Sequence, residues 1–165
     1  MADSGSLTFD RPDWHAQVDE EVVDPNLEII DPHHHLWQIP GADYLLENLW
    51  ADTGSGHRVV KTVFVECHAS YRDYGPDHLR PVGETEFVAG LAADSNEGPG
   101  ARIAGIVAYA DLRLGDRLPE VLDAHVETGR GLFRGIRHAL SHATHPEVLA
   151  FPGGAPAGLS ADEAF

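Results

Sequence analysis

Cysteine and positive charge are both scarce in this chain. Cys67 is the single cysteine in 165 residues, so no intrachain disulfide can form and nothing asks for an oxidising compartment. Eleven Lys and Arg stand against 27 Asp and Glu, a formal net charge of -16. Nucleic acid and anionic membrane surfaces repel such a protein, which argues against both as main partners. No apolar run approaches the ~20 residues that span a bilayer. The N-terminus, MADSGSLTFDRPDW, has no basic region and no apolar core, so no secretory signal is read and the cytoplasm is the expected compartment. Internal repeats and low-complexity tracts are missing as well.

What remains is a hydrophobic content of 42% with 23% charged residues, the composition of a soluble globular protein with one real core. Residues 1–24 are polar, acidic and aperiodic, and read as an arm leading into a domain over 25–165. LEIID (27–31) is a short apolar run ending in a carboxylate. YLLENLW (44–50) carries Leu45, Leu46, Leu49 and Trp50 at helical spacing, and DTGSG closes it. VVKTVFVE (59–66) and ARIAGIVAYADL (101–112) are near-continuous apolar runs, as expected of parallel strands buried on both faces. Between them, GETEFVAGLAADS (83–95) puts Phe87, Val88, Leu91 and Ala92 on one helical face. DRLPEVLDAHVETGRG (116–131) predicts a helix capped by Asp116, with Leu118, Val121, Leu122 and Val126 on its apolar face and glycine at its end. LFRGIRHAL (132–140) is a fourth strand candidate, and GLSADEAF at the end reads as the start of a helix. Strand and helix alternate, which predicts an α/β fold with parallel strands.

Each strand candidate turns polar at its C-terminal end: Asp31, His33 and His35 after the first, Glu66 and His68 after the second, Asp111 after the third, Arg137 and His138 after the fourth. Parallel sheets build their chemistry at that edge. Side chains at i and i+2 of an extended segment point the same way, so His33 and His35 can face one cavity while His34 faces away. Two imidazoles so placed can converge on zinc or a similar divalent ion. Pro32 lacks a ladder donor, which suits a strand that is ending. Of eleven histidines, His138, His142 and His145 are spaced to line a helical face, but no carboxylate completes a set and THP breaks the helix. Cys67 reads as a small buried hydrophobe rather than a nucleophile. Trp37 and Tyr71 are aromatic candidates for a pocket wall.

IIDPHHHLW resembles the first-strand D-x-H-x-H-[LF]-W signature of the amidohydrolase-related (amidohydrolase 2) family of TIM-barrel hydrolases, which includes sugar-acid lactonases, pyrone dicarboxylate hydrolase and a decarboxylase. VFVECHASYRDYG and FRGIRHAL resemble that family's second-strand and fourth-strand segments, so the similarity spans about residues 12–150. The resemblance implies a (β/α)8 barrel of which this chain holds about the first four β/α units. It also implies His33 and His35 as metal ligands and Arg137 as a group binding a substrate carboxylate or carbonyl oxygen. From its own position, His138 stands beside Arg137 at the mouth of such a barrel as a further substrate-binding candidate, and Glu66 at the end of the second strand either reaches into the same site or is exposed or paired with an arginine. TIM barrels run to ~250 residues, and the family's later histidines and its eighth-strand aspartate, the general base, have no counterpart in this sequence. The catalytic base is therefore unknown.

Three readings follow. The first is a metal-dependent hydrolase of a lactone or similar cyclic ester or amide, its small-molecule substrate acidic or lactone-containing. The second is a non-catalytic half-barrel, a pseudoenzyme or interaction module. The third is a decarboxylase of the same family. Four strands of eight cannot close a barrel, so self-association of half-barrels through unpaired edges is expected.

Overall fold

The computed structural model describes residues 12–18, 20–145 and 155–165. The first eleven positions of the polar arm lie outside them. What is described of the arm is one helical turn, α1 (Pro12–His15), followed by irregular chain over 16–18 and 20–27. Then come β1 (Glu28–His34), α2 (Leu46–Thr53), β2 (Arg58–Val65), α3 (Val82–Glu97), β3 (Arg102–Ala108), α4 (Leu118–Thr128) and β4 (Phe133–Ile136). The fold is mixed α/β around one parallel sheet of four strands in the order β1-β2-β3-β4. All four strands lie where the apolar runs place them, β1 reaching three residues further, through His34. No helix among the described residues is long and apolar enough to cross a membrane.

Neighbouring parallel strands joined in sequence order by right-handed crossovers put every connecting helix on the same face of the sheet. The core lies there: Leu49 of α2, Phe64 of β2, Val88 and Ala92 of α3, and Ile103 and Ile106 of β3 are all buried together. Register explains which strand residues reach it. Thr62 sits beside Ile103 and Phe64 beside Ile106, while the register skips Ala104 so that Val63 pairs with Gly105. That bulge keeps the alternation in phase across the two strands. The other face of the sheet carries the rows Lys61–Arg102, Val63–Gly105 and Val65–Val107.

The helices bury faces rotated from those read in the sequence. In α3 the buried set is Val82, Gly83, Glu84, Thr85, Val88, Ala89, Ala92 and Ser95, whereas Phe87 and Leu91 are only half-buried. In α4 Val121 and His125 are fully buried, while Val126 is 58% exposed. Asp116 does not cap α4. It lies in a 3-10 stretch, Leu112–Arg117, whose own N-cap is Asp111, accepting the Arg113 N–H. The C-terminal GLSADEAF makes a single 3-10 turn, Leu159–Ala161.

Candidate functional site

The C-terminal edge of the sheet is shaped first by β1. Asp31 pairs with Thr62 and His34 with Phe64, so three steps on β1 match two on β2. The extra residue falls at Pro32–His33. Pro32 has no N–H to lose, and the His33 N–H donates instead to Asp31 Oδ1 at 3.0 Å. Asp31 is thus the residue that makes the bulge affordable, by satisfying the amide the ladder drops. Beyond the bulge, His34 turns into the protein (7% exposed) with its ring edge-on to Phe64. Burial pushes His34 down to about 4, against a smaller opposing effect of the Val63 backbone, so it is a neutral ring.

His33 and His35 project together. Their Nε2 atoms are 3.2 Å apart and the rings cross at 84°. The Val65 carbonyl accepts from His35 Nδ1 at 2.7 Å. A carbonyl can only accept, so Nδ1 carries the proton and the neutral ring keeps its lone pair on Nε2, facing His33. Burial holds His35 below the usual histidine range, which favours that neutral form. Two nitrogens bound tetrahedrally at ~2.0–2.1 Å from one zinc lie ~3.3 Å apart, so the spacing fits two ligands of a shared ion. The backbone bond to Nδ1 is the kind of outer support that orients metal-binding histidines. The fit stops at two donors: among the described residues no group of three His, Cys, Asp or Glu could hold a metal.

Next to this pair lies a chain of polar contacts. Glu66, 1% exposed, accepts from Arg137 Nε through Oε1 at 2.7 Å, and its backbone carbonyl accepts from Arg137 Nη2. Glu66 Oε2 is buried without a hydrogen bond and lies 3.4 Å from His68 Nε2. The other His68 nitrogen, Nδ1, meets the Tyr71 hydroxyl at 3.0 Å. Both Glu66 and Arg137 are close enough to influence the ionisation of His35. The structure therefore sets Glu66 behind Arg137, as the group that aims it, rather than at an open surface. Arg137 is 38% exposed, and its Nη1 has no partner among the described residues, which leaves one edge of the guanidinium for an anion.

His138 is placed differently from its neighbour. Its side chain is 6% exposed, its Nδ1 accepts the Leu112 N–H at 3.2 Å, and its ring packs between Tyr109 and Phe165. Asp111 is drawn onto Arg113, whose guanidinium holds the carboxyl below the usual range. Trp37 stacks on Tyr44 and donates to the Ala42 carbonyl, closing the loop before α2. Residues 137–145 are not helical, so His138, His142 and His145 share no helical face; His142 is turned to the Ala155 carbonyl. Cys67 is pushed up to about 12 by burial and serves as a packed thiol.

One residue of this edge gave no sequence signal. Glu84, in the first turn of α3, is 2% exposed and its Oε1 accepts the Cys67 N–H at 3.0 Å and the Ala69 N–H at 2.7 Å. It pins the turn after β2, where His68 and Ser70 both have positive φ. At Gly83 a Cβ would come within 2.6 Å of Ser70 O and Arg72 N, so only glycine lets α3 start this close to the turn. An acid in a helical first turn is usually read as a solvated dipole partner, which hid its role.

Comparison with known proteins adds one relative. The chain is 33% identical over 157 residues to "Uncharacterized protein y4mH" of Sinorhizobium fredii (strain NBRC 101917 / NGR234), covering 77% of this chain and 48% of that protein. It thus spans about half the length of the curated relative it matches. No family model and no solved structure matches it.

Proposed function

We propose that the chain is the first half of an amidohydrolase-type (β/α)8 barrel and carries part of a metal-dependent hydrolase site for a lactone or related cyclic ester or amide. The observation behind this reading is the His33–His35 pair, with Nε2 atoms 3.2 Å apart and His35 Nδ1 tied to the Val65 carbonyl. His33 and His35 would hold a divalent ion such as zinc, which when bound supplies carbonyl polarisation and an acidified water. Arg137, aimed by Glu66, binds an acidic substrate through its free edge. Glu66 offsets much of that cation's charge, so Arg137 contributes orientation and hydrogen bonds more than net attraction.

A binding-only half-barrel is favoured by a different observation, that no third ligand joins the pair among the described residues. The experiment is titration of the 165-residue chain with cobalt(II) or zinc, followed by calorimetry and the cobalt visible spectrum. Weak 1:1 binding is expected, lost in His33→Ala and in His35→Ala and kept in His34→Ala. Equal loss in all three would sink the metal reading. In a longer form that turns over a lactone, the same two substitutions should abolish activity and His34→Ala should leave most of it.

A further inference from the structure

At the opposite, N-terminal edge of the sheet lies a cavity of about 640 Å³. Its lining includes Trp50, the Gly98–Gly100 loop, and the residues His57, Arg58, Lys61 and Arg102. The glycines are required here. A Cβ at Gly98 or Gly100 would come within 2.2 Å and 2.1 Å of the Trp50 indole, so only their absence of side chain lets the ring lie against the loop. Trp50 is fixed there by donating to the Ala101 carbonyl at 3.1 Å.

The charge is what calls for an explanation. Lys61 is the only lysine in the chain, and it stands in register with Arg102 on the neighbouring strand. Adjacent strands run ~4.8 Å apart, and like charges placed side by side on a sheet are destabilising. Glu28 is the carboxylate that lines the cavity, and Arg58 takes it at 2.8 Å. Lys61 and Arg102 have no ion pair or hydrogen bond among the described residues. Among the described residues no acid other than Glu28 lines this cavity.

We propose that this cavity is a binding site for a small oxyanion of two negative charges, a phosphate group or a dicarboxylate, held between Lys61 and Arg102. Such a ligand supplies the missing counter-charge, and an arginine beside a lysine offers both a planar fork and a point donor to it. The protein's overall acidity repels anions at long range, but salt screens that field within ~10 Å at 0.1 M, and the parallel register sets the two cations side by side on neighbouring strands. The site is separate from the histidine edge and does not rest on the hydrolase reading.

The 165-residue chain is titrated at low ionic strength with inorganic phosphate and, separately, with malonate, with binding followed by calorimetry and by thermal melting. Saturable 1:1 binding of at least one anion is expected. Its Kd should rise tenfold or more in Lys61→Met and in Arg102→Met, while Arg80→Gln, a cation paired with Asp77 elsewhere, binds as wild type. Tighter binding of phosphate assigns a phosphorylated ligand, and tighter binding of malonate a dicarboxylate. In anion-free buffer Lys61→Met removes a repulsion and should melt no lower than wild type, which separates loss of binding from loss of folding. Absence of binding by both anions, binding unchanged in both variants, or a lower melting point for Lys61→Met without anion would each overturn the proposal.

Discussion

Buried ionisable groups dominate the residue scale, and Glu84 is the clearest of them. Burial pushes its carboxyl from the ordinary 4.5 up to about 7, despite two backbone amides that favour the charged form. A folded value above the unfolded one means that stability is fully present below about pH 4.5 and is lost as pH rises through 7. At ~1.36 kcal/mol per pH unit that interval corresponds to about 3 kcal/mol. Glu84→Gln keeps an oxygen to accept the Cys67 and Ala69 amides. It is therefore expected to be about 1–3 kcal/mol more stable than wild type at pH 8 and equal to it near pH 4. Urea unfolding at both values checks this. A variant less stable at both would mean that the turn after β2 needs the charge itself.

Among the elements, α4 shows how a polar residue can serve as a core residue. His125 is fully buried, stacked on Phe133, with Nδ1 meeting Thr85 Oγ1 of α3 at 2.8 Å and Nε2 donating to the Tyr109 carbonyl at 3.0 Å. One side chain therefore ties α4 to α3 and to the end of β3. Burial lowers its pKa, so the folded chain holds it neutral while the unfolded chain takes up a proton below about pH 6.5. Stability is then present above that value and falls as pH drops. His125→Leu leaves the Tyr109 carbonyl without its donor and should cost about 2–4 kcal/mol at pH 7. It should also flatten the decline between pH 6.5 and 5. Denaturant curves at pH 7 and 5 measure both effects, and an unchanged acid slope would remove His125 as its cause. The bulge in β1 is the other decisive element, since a one-residue slip there would exchange the faces of His33, His34 and His35.

For the molecule as a whole, the sheet has β1 and β4 as edges, and the helices cover one face. Edge strands with free amides and carbonyls pair with other chains unless something blocks them. The 165-residue chain is expected to self-associate with concentration, against the repulsion of its -16 charge. Raising salt from about 0.05 to 0.5 M should strengthen association by screening. Sedimentation velocity across concentration and salt tests this. A monomer at every condition would show that the edges are protected.

The sequence by itself determined the strands, their parallel order and the direction of the HxH pair. Those follow from local rules: apolar runs of β-branched residues, helix-length segments between them, and the two-residue alternation of an extended chain. It did not determine which helix faces turn inward, because Phe87 and Val126 look as apolar as Val88 and Val121 until a sheet is set beside them. Nor did it separate the two neighbours Arg137 and His138, which the end of β4 sends to different surroundings. The work of Glu84 was invisible for the same reason, and Glu66 was placed at the site without its task being decided. A carboxylate is a solvated charge in sequence, and becomes a clamp on two amides or a brace behind an arginine only when distant segments, α3 with the turn after β2 and β2 with β4, are packed together. Hydrophobic periodicity is a local property, but desolvation and charge pairing belong to the neighbours that tertiary structure supplies.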